Sequence, residues 1–163
     1  MPARPARLVA GVLAVLVLAA CGGGGASTTV PLSSTLDLAT TTVVAGGQIT
    51  GHVVVRNDTG RVLHAEACGS IFQALLTRPG YEPTPVWATC VQRVTIGRGR
   101  STYRVTVTAS YSRCSQSGPE GTVPACTPTG APPLPAGRYE ATVFEQGTVV
   151  PLPAPVPVRV AAR

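Results

Sequence analysis

The sequence contains no lysine: all 13 basic residues are arginine, and they stand beside only seven acidic and seven aromatic residues. A surface that binds nucleic acid needs a basic face interleaved with aromatic side chains, which so few aromatics do not supply. Abundant Ala, Gly, Pro and Val accompany the exclusive use of arginine, as in proteins encoded by GC-rich genomes. Arginine alone therefore indicates little about function, and we expect no nucleic-acid partner.

Motifs for metal binding and catalysis are also missing. The cysteines and histidines form no CxxC or HxxxH spacing of the kind that zinc sites use, and the nucleophile motif GxSxG is absent. The carboxylates are isolated rather than paired for acid–base chemistry. His52 and His64 are the only imidazoles, and we interpret Cys68-Gly69-Ser70 beside His64 as a disulfide at a strand end. We expect no enzyme activity, no catalytic residue, no metal and no cofactor.

The chain lacks the roughly 20 consecutive apolar residues that a membrane-spanning helix needs. Its apolar run Leu8–Leu18 is shorter, follows Arg4 and Arg7, and leads into the small residues Ala19-Ala20. A positive start, a short apolar stretch and small residues before a cleavage point are the three parts of a secretory signal peptide. We predict that residues 1–20 are such a signal.

The tetrapeptide Leu18-Ala19-Ala20-Cys21 ends this segment. It resembles a bacterial lipobox, in which the cysteine receives a diacylglyceryl group and becomes the first residue of the mature protein. The resemblance implies that the lipid on Cys21 anchors the protein to the cell membrane at its extracytoplasmic face, since each buried acyl methylene stabilises insertion by ~0.8 kcal/mol. An ordinary secretory peptide with an incidental Cys21 is the alternative.

Removal of the first twenty of 163 residues leaves 143 and lowers the formal net charge from +6 to +4. This length suits one domain with one core. Residues 21–33 comprise the lipidated cysteine and a linker rich in Gly, Ser and Thr, a composition that buries too little apolar surface to fold. We predict that the folded domain covers residues 34–163.

Beyond residue 34 the apolar residues recur with period two. Ile49, Gly51, Val53 and Val55 share one face of a segment whose other face is polar. Such alternation, with many β-branched residues between Gly-, Pro- and Asn-rich turns, is typical of strands with one buried face. We predict strands at 34–39, 48–56, 62–68, 71–77, 92–96, 101–111, 138–146 and 155–161, the last near a sheet edge because prolines flank it.

Two runs carry a family resemblance. VVAGGQITGHVVVRNDTG, residues 43–60, resembles the first half of bacterial immunoglobulin-like domains, and LPAGRYEATV, residues 134–143, is similar to their penultimate strand, with Tyr139 at the position of a corner tyrosine. The resemblance implies a single antiparallel β-sandwich of seven to eight strands. Trp87 lies in a Pro-rich loop rather than a central strand, so only the architecture carries over. The whole chain resembles lipoproteins of actinobacteria.

Four cysteines remain after Cys21, and an even number in an exported chain predicts a disulfide framework. Three pairings of Cys68, Cys90, Cys114 and Cys126 are possible. We favour Cys68–Cys90 and Cys114–Cys126, since each closes a local excursion of the chain. Closing the second loop stabilises the fold by roughly 3 kcal/mol in the chain-entropy model.

Two surface features are candidates for binding. The first is a group of arginines on the hairpin predicted from strands 92–96 and 101–111, suited to anionic head groups or polymers: Arg93, Arg98, Arg100 and Arg104. A solvated turn without a ligand is the alternative. The second is the Pro-rich loop 78–89, in which Tyr81 and Trp87 could contact a peptide or glycan. Packing of Trp87 over a Cys68–Cys90 bridge is the alternative there.

These observations favour a non-enzymatic, lipid-anchored module that binds a protein or an envelope polymer outside the cytoplasmic membrane. An inhibitor of extracytoplasmic proteases is the second hypothesis, because such inhibitors present rigid Pro-rich loops like residues 78–89. An envelope lipid or small-ligand carrier is the third, and it requires an apolar cavity.

Overall fold

The structure is a computed structural model that describes residues 31–147 and 149–163. The predicted signal peptide, Cys21 and the linker up to residue 30 lie outside the described residues. The described part is all-β and contains nine strands: β1 Leu32–Leu38, β2 Thr42–Val44, β3 Gln48–Asn57, β4 Leu63–Ala67, β5 Phe72–Thr77, β6 Gln92–Ile96, β7 Gly99–Thr108, β8 Gly137–Glu145 and β9 Val156–Ala161.

The eight predicted strands are all present, with ends shifted by no more than three residues. β1 begins at Leu32, so the last two residues of the predicted linker already belong to the sheet. β7 ends before Ala109, because the backbone of Ala109 instead exchanges hydrogen bonds with Gly46 and Gly47 at 2.8 Å each. The short strand β2 is the one that the alternation pattern did not predict.

Two sheets form the body of the domain. One has the order β1-β3-β7 and is antiparallel throughout; the other has the order β2-β9-β8-β5, with β2 parallel to β9. Their apolar faces pack into one core, as in a β-sandwich. Alternation explains which residues enter it: Val53 and Val55 of β3 are fully buried, while His52 and Arg56 on either side of them are exposed.

The prediction that the last strand lies near a sheet edge is confirmed. β9 lies between β8 and β2, and β2 pairs with it at Arg159–Ala161. The preceding residues of β9 have β8 as their only strand neighbour, and Pro157 lies there. The missing N–H of proline is therefore tolerated because β2 is too short to reach it.

The predicted hairpin of the arginine group is wrong. β6 and β7 do not pair with each other: β6 pairs with β4, and β7 pairs with β3. The β3/β7 ladder ends at Asn57 opposite Gly99, and the β4/β6 ladder begins at Leu63 opposite Ile96. The two ladders are thus joined by two connections, residues 58–62 and residues 97–98, rather than closed by a hairpin turn.

Both favoured disulfides are confirmed. Cys68 is bonded to Cys90 and Cys114 to Cys126, with Cα–Cα distances of 5.1 and 4.8 Å. The first joins the end of β4 to the Pro-rich loop, and the second closes the polar excursion that follows β7. Each therefore fixes a segment whose composition gives it little apolar surface of its own.

Candidate binding surface

The Pro-rich loop leaves β5 through a tight turn. Arg78 and Tyr81 exchange two backbone hydrogen bonds of 3.0 and 2.8 Å around Gly80, whose φ of 79° favours glycine. The Tyr81 ring packs edge-to-face on Tyr111 with centroids 5.1 Å apart, and its hydroxyl accepts a 3.1 Å hydrogen bond from the backbone N–H of Ser112. Tyr81 therefore holds the loop in place rather than presenting a free aromatic ring.

Residues 82–88 belong to no strand, and because their exposure has the period of two that an extended chain gives, we call them the extended loop. Exposure alternates along it: Glu82, Thr84, Val86 and Ala88 face solvent, while the residues between them are half-buried. The side-chain amide of Gln73 on β5 donates a hydrogen bond to the carbonyl of Val86. Tyr81 holds the chain before the extended loop and the disulfide at Cys90 holds it after the loop, and this bond restrains the segment between them.

The solvent face of this region carries exposed apolar side chains. Val86 is 76% exposed and Val91, next to the Cys68–Cys90 disulfide, is 74% exposed. Trp87 between them is half-buried, and within the described part of the chain it is not among the residues packed against the core. The loop thus presents an apolar surface on a restrained backbone, the arrangement that favours contact with a partner.

A groove runs along the extended loop. A cavity of about 690 Å³ lies between the loop prolines and the outer face of β8, where Glu140, Thr142 and Phe144 form its wall. A second cavity of about 300 Å³ lies on the other side, between β5 and β7. The larger one is lined by outward-facing residues of β8, so it is a surface groove and not part of the core.

Arg78 lies at the start of the groove, which Glu82 and Glu140 also line. Its guanidinium lies 4.8 Å from the centre of the Tyr139 ring, a cation–π contact. Burial raises the pKa of the Tyr139 phenol above its usual value, and the charge of Arg78 opposes that rise. The neutral phenol donates a 2.9 Å hydrogen bond to the carbonyl of Pro135, which ties the start of β8 to the preceding loop.

The four predicted arginines are all exposed, but they do not lie on one sheet. Arg93 lies opposite Glu66 in the β4/β6 ladder, and Arg104 lies opposite His52 in the β3/β7 ladder. Arg98 and Arg100 remain close in sequence, and Arg100 lies opposite Arg56. The pairing therefore separates Arg93 and Arg104 from the other two.

Two arginines that the sequence prediction missed form a group with Arg98 and Arg100. Arg56 ends the outer face of β3, and Arg61 lies in the connection to β4; both are exposed. We call Arg56, Arg61, Arg98 and Arg100 the arginine end. Asp58 is paired with Arg56, its Oδ2 lying 2.6 Å from Arg56 Nε. The other three have no ion-pair partner within residues 31–147 and 149–163. Non-local pairing brings Arg56 to this group, and proximity in sequence does not predict it.

Asn57 holds the connections of the arginine end together. Its Nδ2 donates to the carbonyls of Arg61 and Gly97 at 2.8 and 3.0 Å, and its Oδ1 accepts from the Thr59 hydroxyl at 2.6 Å. The side chain is 1% exposed. The sequence contains a signal for the burial of Asn57, since this residue continues the alternation of Val53 and Val55 on the buried face.

The residues considered for catalysis in the sequence make the following contacts in the structure. Ser70 bonds to the backbone of Phe72 through its hydroxyl, and Cys68 is oxidised in a disulfide. His52 and His64 lie on exposed faces, with His64 Nδ1 3.5 Å from the Thr95 hydroxyl. The described residues contain no group of three or more metal-ligating side chains. They also contain no helix long and apolar enough to cross a bilayer.

The fold and this surface define a disulfide-bonded all-β domain with a restrained apolar loop. No protein family matches the sequence, no curated protein matches it, and no solved structure matches the domain.

Proposed function

We propose that the protein is a lipid-anchored extracytoplasmic binding module, not an enzyme, and that the extended loop with Val91 is its contact surface for a protein or envelope polymer. The observation that carries the binding role is Val86, whose side chain is 76% exposed although its own carbonyl is held by Gln73. Holding an apolar residue outward on a fixed backbone reduces the entropy lost on binding.

Anchoring is proposed from the sequence, where Leu18-Ala19-Ala20-Cys21 resembles a lipobox of actinobacterial lipoproteins. An immunoglobulin-like architecture is part of the proposal. The sheet orders, the parallel pairing of β2 with β9 and the bond from Tyr139 to the Pro135 carbonyl support it, since a tyrosine at the start of the penultimate strand bonds upstream in such domains.

The binding role is tested by crosslinking the tagged full-length protein in its native membrane. We compare the wild type with Val86→Arg and with Val44→Arg as a matched control, because Val44 is also exposed but lies on β2. The proposal expects a partner that is retained by the wild type and by Val44→Arg and lost from Val86→Arg. Identical partners for all three proteins would contradict it.

Inhibition of extracytoplasmic proteases is the second candidate, favoured by the extended loop itself. Residues 82–88 are alternately exposed, and the chain there is tied by the Gln73 bond and by the disulfide at Cys90. Inhibitors of this kind present a rigid extended segment. A panel of extracellular proteases, assayed with wild type and Val86→Asp, tests this: inhibition lost in the variant supports it, and cleavage of the loop without inhibition removes it.

The third expectation, a lipid or small-ligand carrier, is not favoured by a specific observation. The larger cavity is lined by the loop and by outward-facing residues of β8 such as Thr142 and Phe144. We therefore restrict the proposal to macromolecular contacts.

A further inference from the structure

Two arginines face each other directly at the arginine end. Arg56 and Arg100 are partners across the β3/β7 ladder, and Ser33 of β1 completes the same row. Like charges in directly opposite positions destabilise a sheet. Asp58 compensates only one positive charge, although the arginine end carries four. An excess of exposed guanidinium groups is thus built into one end of the three-stranded sheet.

Arg56 and Arg100 border a common surface. A shallow cavity of about 260 Å³ lies over Val54 and is bordered by Arg56, Arg100 and Asp58. Guanidinium groups bind phosphate oxygens through paired N–H donors. The Asn57 side chain fixes the connections on which Arg61 and Arg98 lie, so the spacing of the group is restrained.

The chain enters the domain at this same end. β1 starts opposite the end of β3, and the backbone N–H of Asp58 donates a 2.7 Å hydrogen bond to the carbonyl of Pro31. Ten residue steps separate Pro31 from Cys21, which span at most roughly 35 Å even when fully extended. β3 is ten residues long, so the opposite end of the sheet lies roughly 33 Å farther along the strand.

We propose that the arginine end faces the membrane and contacts the phosphates of anionic lipid head groups, which orients the domain on its anchor. This inference rests on the proposed lipidation of Cys21. A lipid surface is favoured over a soluble polymer because the attachment of the chain holds these arginines nearest to the bilayer. Each arginine close to an anionic surface strengthens the contact by roughly fivefold. The groove beside the extended loop then remains available to a partner.

The test uses the acylated full mature protein in phosphatidylcholine vesicles, with and without phosphatidylglycerol. Phenylglyoxal modifies exposed arginines, and peptide mass spectrometry reports the rate at each. We expect phenylglyoxal to modify Arg61, Arg98 and Arg100 more slowly, by roughly threefold or more, only in the anionic vesicles. The contact that protects these arginines depends on the negative charge of the lipid. High salt should restore the rates. Arg138 and Arg159, on the outer face of the other sheet, should be unaffected.

Matched variants separate a local contact from overall charge. Arg98→Gln with Arg100→Gln should remove the protection of Arg61. Arg138→Gln with Arg159→Gln changes the net charge equally, since these two also face each other across a ladder, and should leave that protection intact.

Several outcomes would overturn the inference. Equal modification in both vesicles, with the protein still floating with the lipid, rejects the orientation and leaves the anchoring in place. If soluble polyphosphate protects these arginines from modification and anionic vesicles do not, the arginine end binds a polymer and the membrane contact is rejected. A mature protein without acyl chains rejects the proposed anchoring, and the orientation with it.

Discussion

The side chain of Asn57 donates a 3.0 Å hydrogen bond to the carbonyl of Gly97, forty residues away in sequence. Its second donor reaches the Arg61 carbonyl, so one buried amide fixes both connections between the β3/β7 and β4/β6 ladders. Strand pairing does not hold the two connections together, because neither ladder extends across them. One buried polar residue therefore links the two connections that join the arginine end to the pair β4/β6.

Asn57→Ala should destabilise the domain by about 2–4 kcal/mol, since it leaves two backbone acceptors without their donor in a part-buried site. Thr59→Ala is the control, because it leaves the Asn57 donors in place and removes an exposed hydroxyl that bonds to Asn57 and to the Arg61 backbone; it should cost about 1 kcal/mol. Urea unfolding measures both. Equal losses for the two variants would show that Asn57 does not hold the two connections together.

Gly51 is required by the close approach of β1 to β3. A Cβ at this position would lie 2.7 Å from the Asp37 carbonyl oxygen, which is backbone and cannot easily move aside. Gly51→Ala should therefore cost about 1–3 kcal/mol through overpacking. Gly97→Ala is the control: a Cβ there meets nothing within 4 Å, and we expect a change of less than about 0.5 kcal/mol. Thermal unfolding distinguishes them, and a neutral Gly51→Ala would contradict the β1/β3 packing.

Tyr139→Phe should lose about 1 kcal/mol of stability, because it removes the hydrogen bond to Pro135. The variant should also change the pH dependence. Burial holds the pKa of Tyr139 above the usual value of 10.0, so its contribution is fully present below that pH and is lost as the pH rises through the folded-state pKa. The wild type should weaken at alkaline pH more steeply than Tyr139→Phe. Parallel curves for the free energy of unfolding against pH would contradict this.

The two disulfides should contribute similarly to stability but differently to binding. Replacing either pair by serine should cost about 3 kcal/mol in the chain-entropy model, slightly more for Cys68–Cys90 because it encloses 22 residues against 12. Cys68–Cys90 also restrains the extended loop, so its loss should weaken retention of a partner, whereas loss of Cys114–Cys126 should not. If the two replacements weaken retention of the partner equally, the extended loop is not the binding surface.

Local patterns in the sequence predicted most of the elements. Alternation placed Ile49, Val53 and Val55 on the buried face correctly, and the disulfide pairing followed from short separations along the chain. β2 was missed because three residues are too few to show a period. Tyr81 was predicted as a contact residue, yet its ring is engaged by Tyr111.

What the sequence could not predict depends on pairing between distant segments. Proximity in sequence suggested that strands 92–96 and 101–111 form a hairpin, but their partners are β4 and β3. For the same reason Arg56 was not grouped with Arg100, although the two lie opposite each other. The parallel pairing of β2 with the end of β9 was not predicted, because a three-residue partner leaves no local signal.

The central claim is that Cys21 anchors this domain to the membrane, and the intact mass of the protein purified from native membranes tests it most directly. The account predicts a chain that begins at Cys21 and carries a diacylglyceryl modification, with a further mass difference on reduction that corresponds to two disulfides. An unmodified Cys21, or a chain cleaved elsewhere and recovered free of membrane, would contradict it.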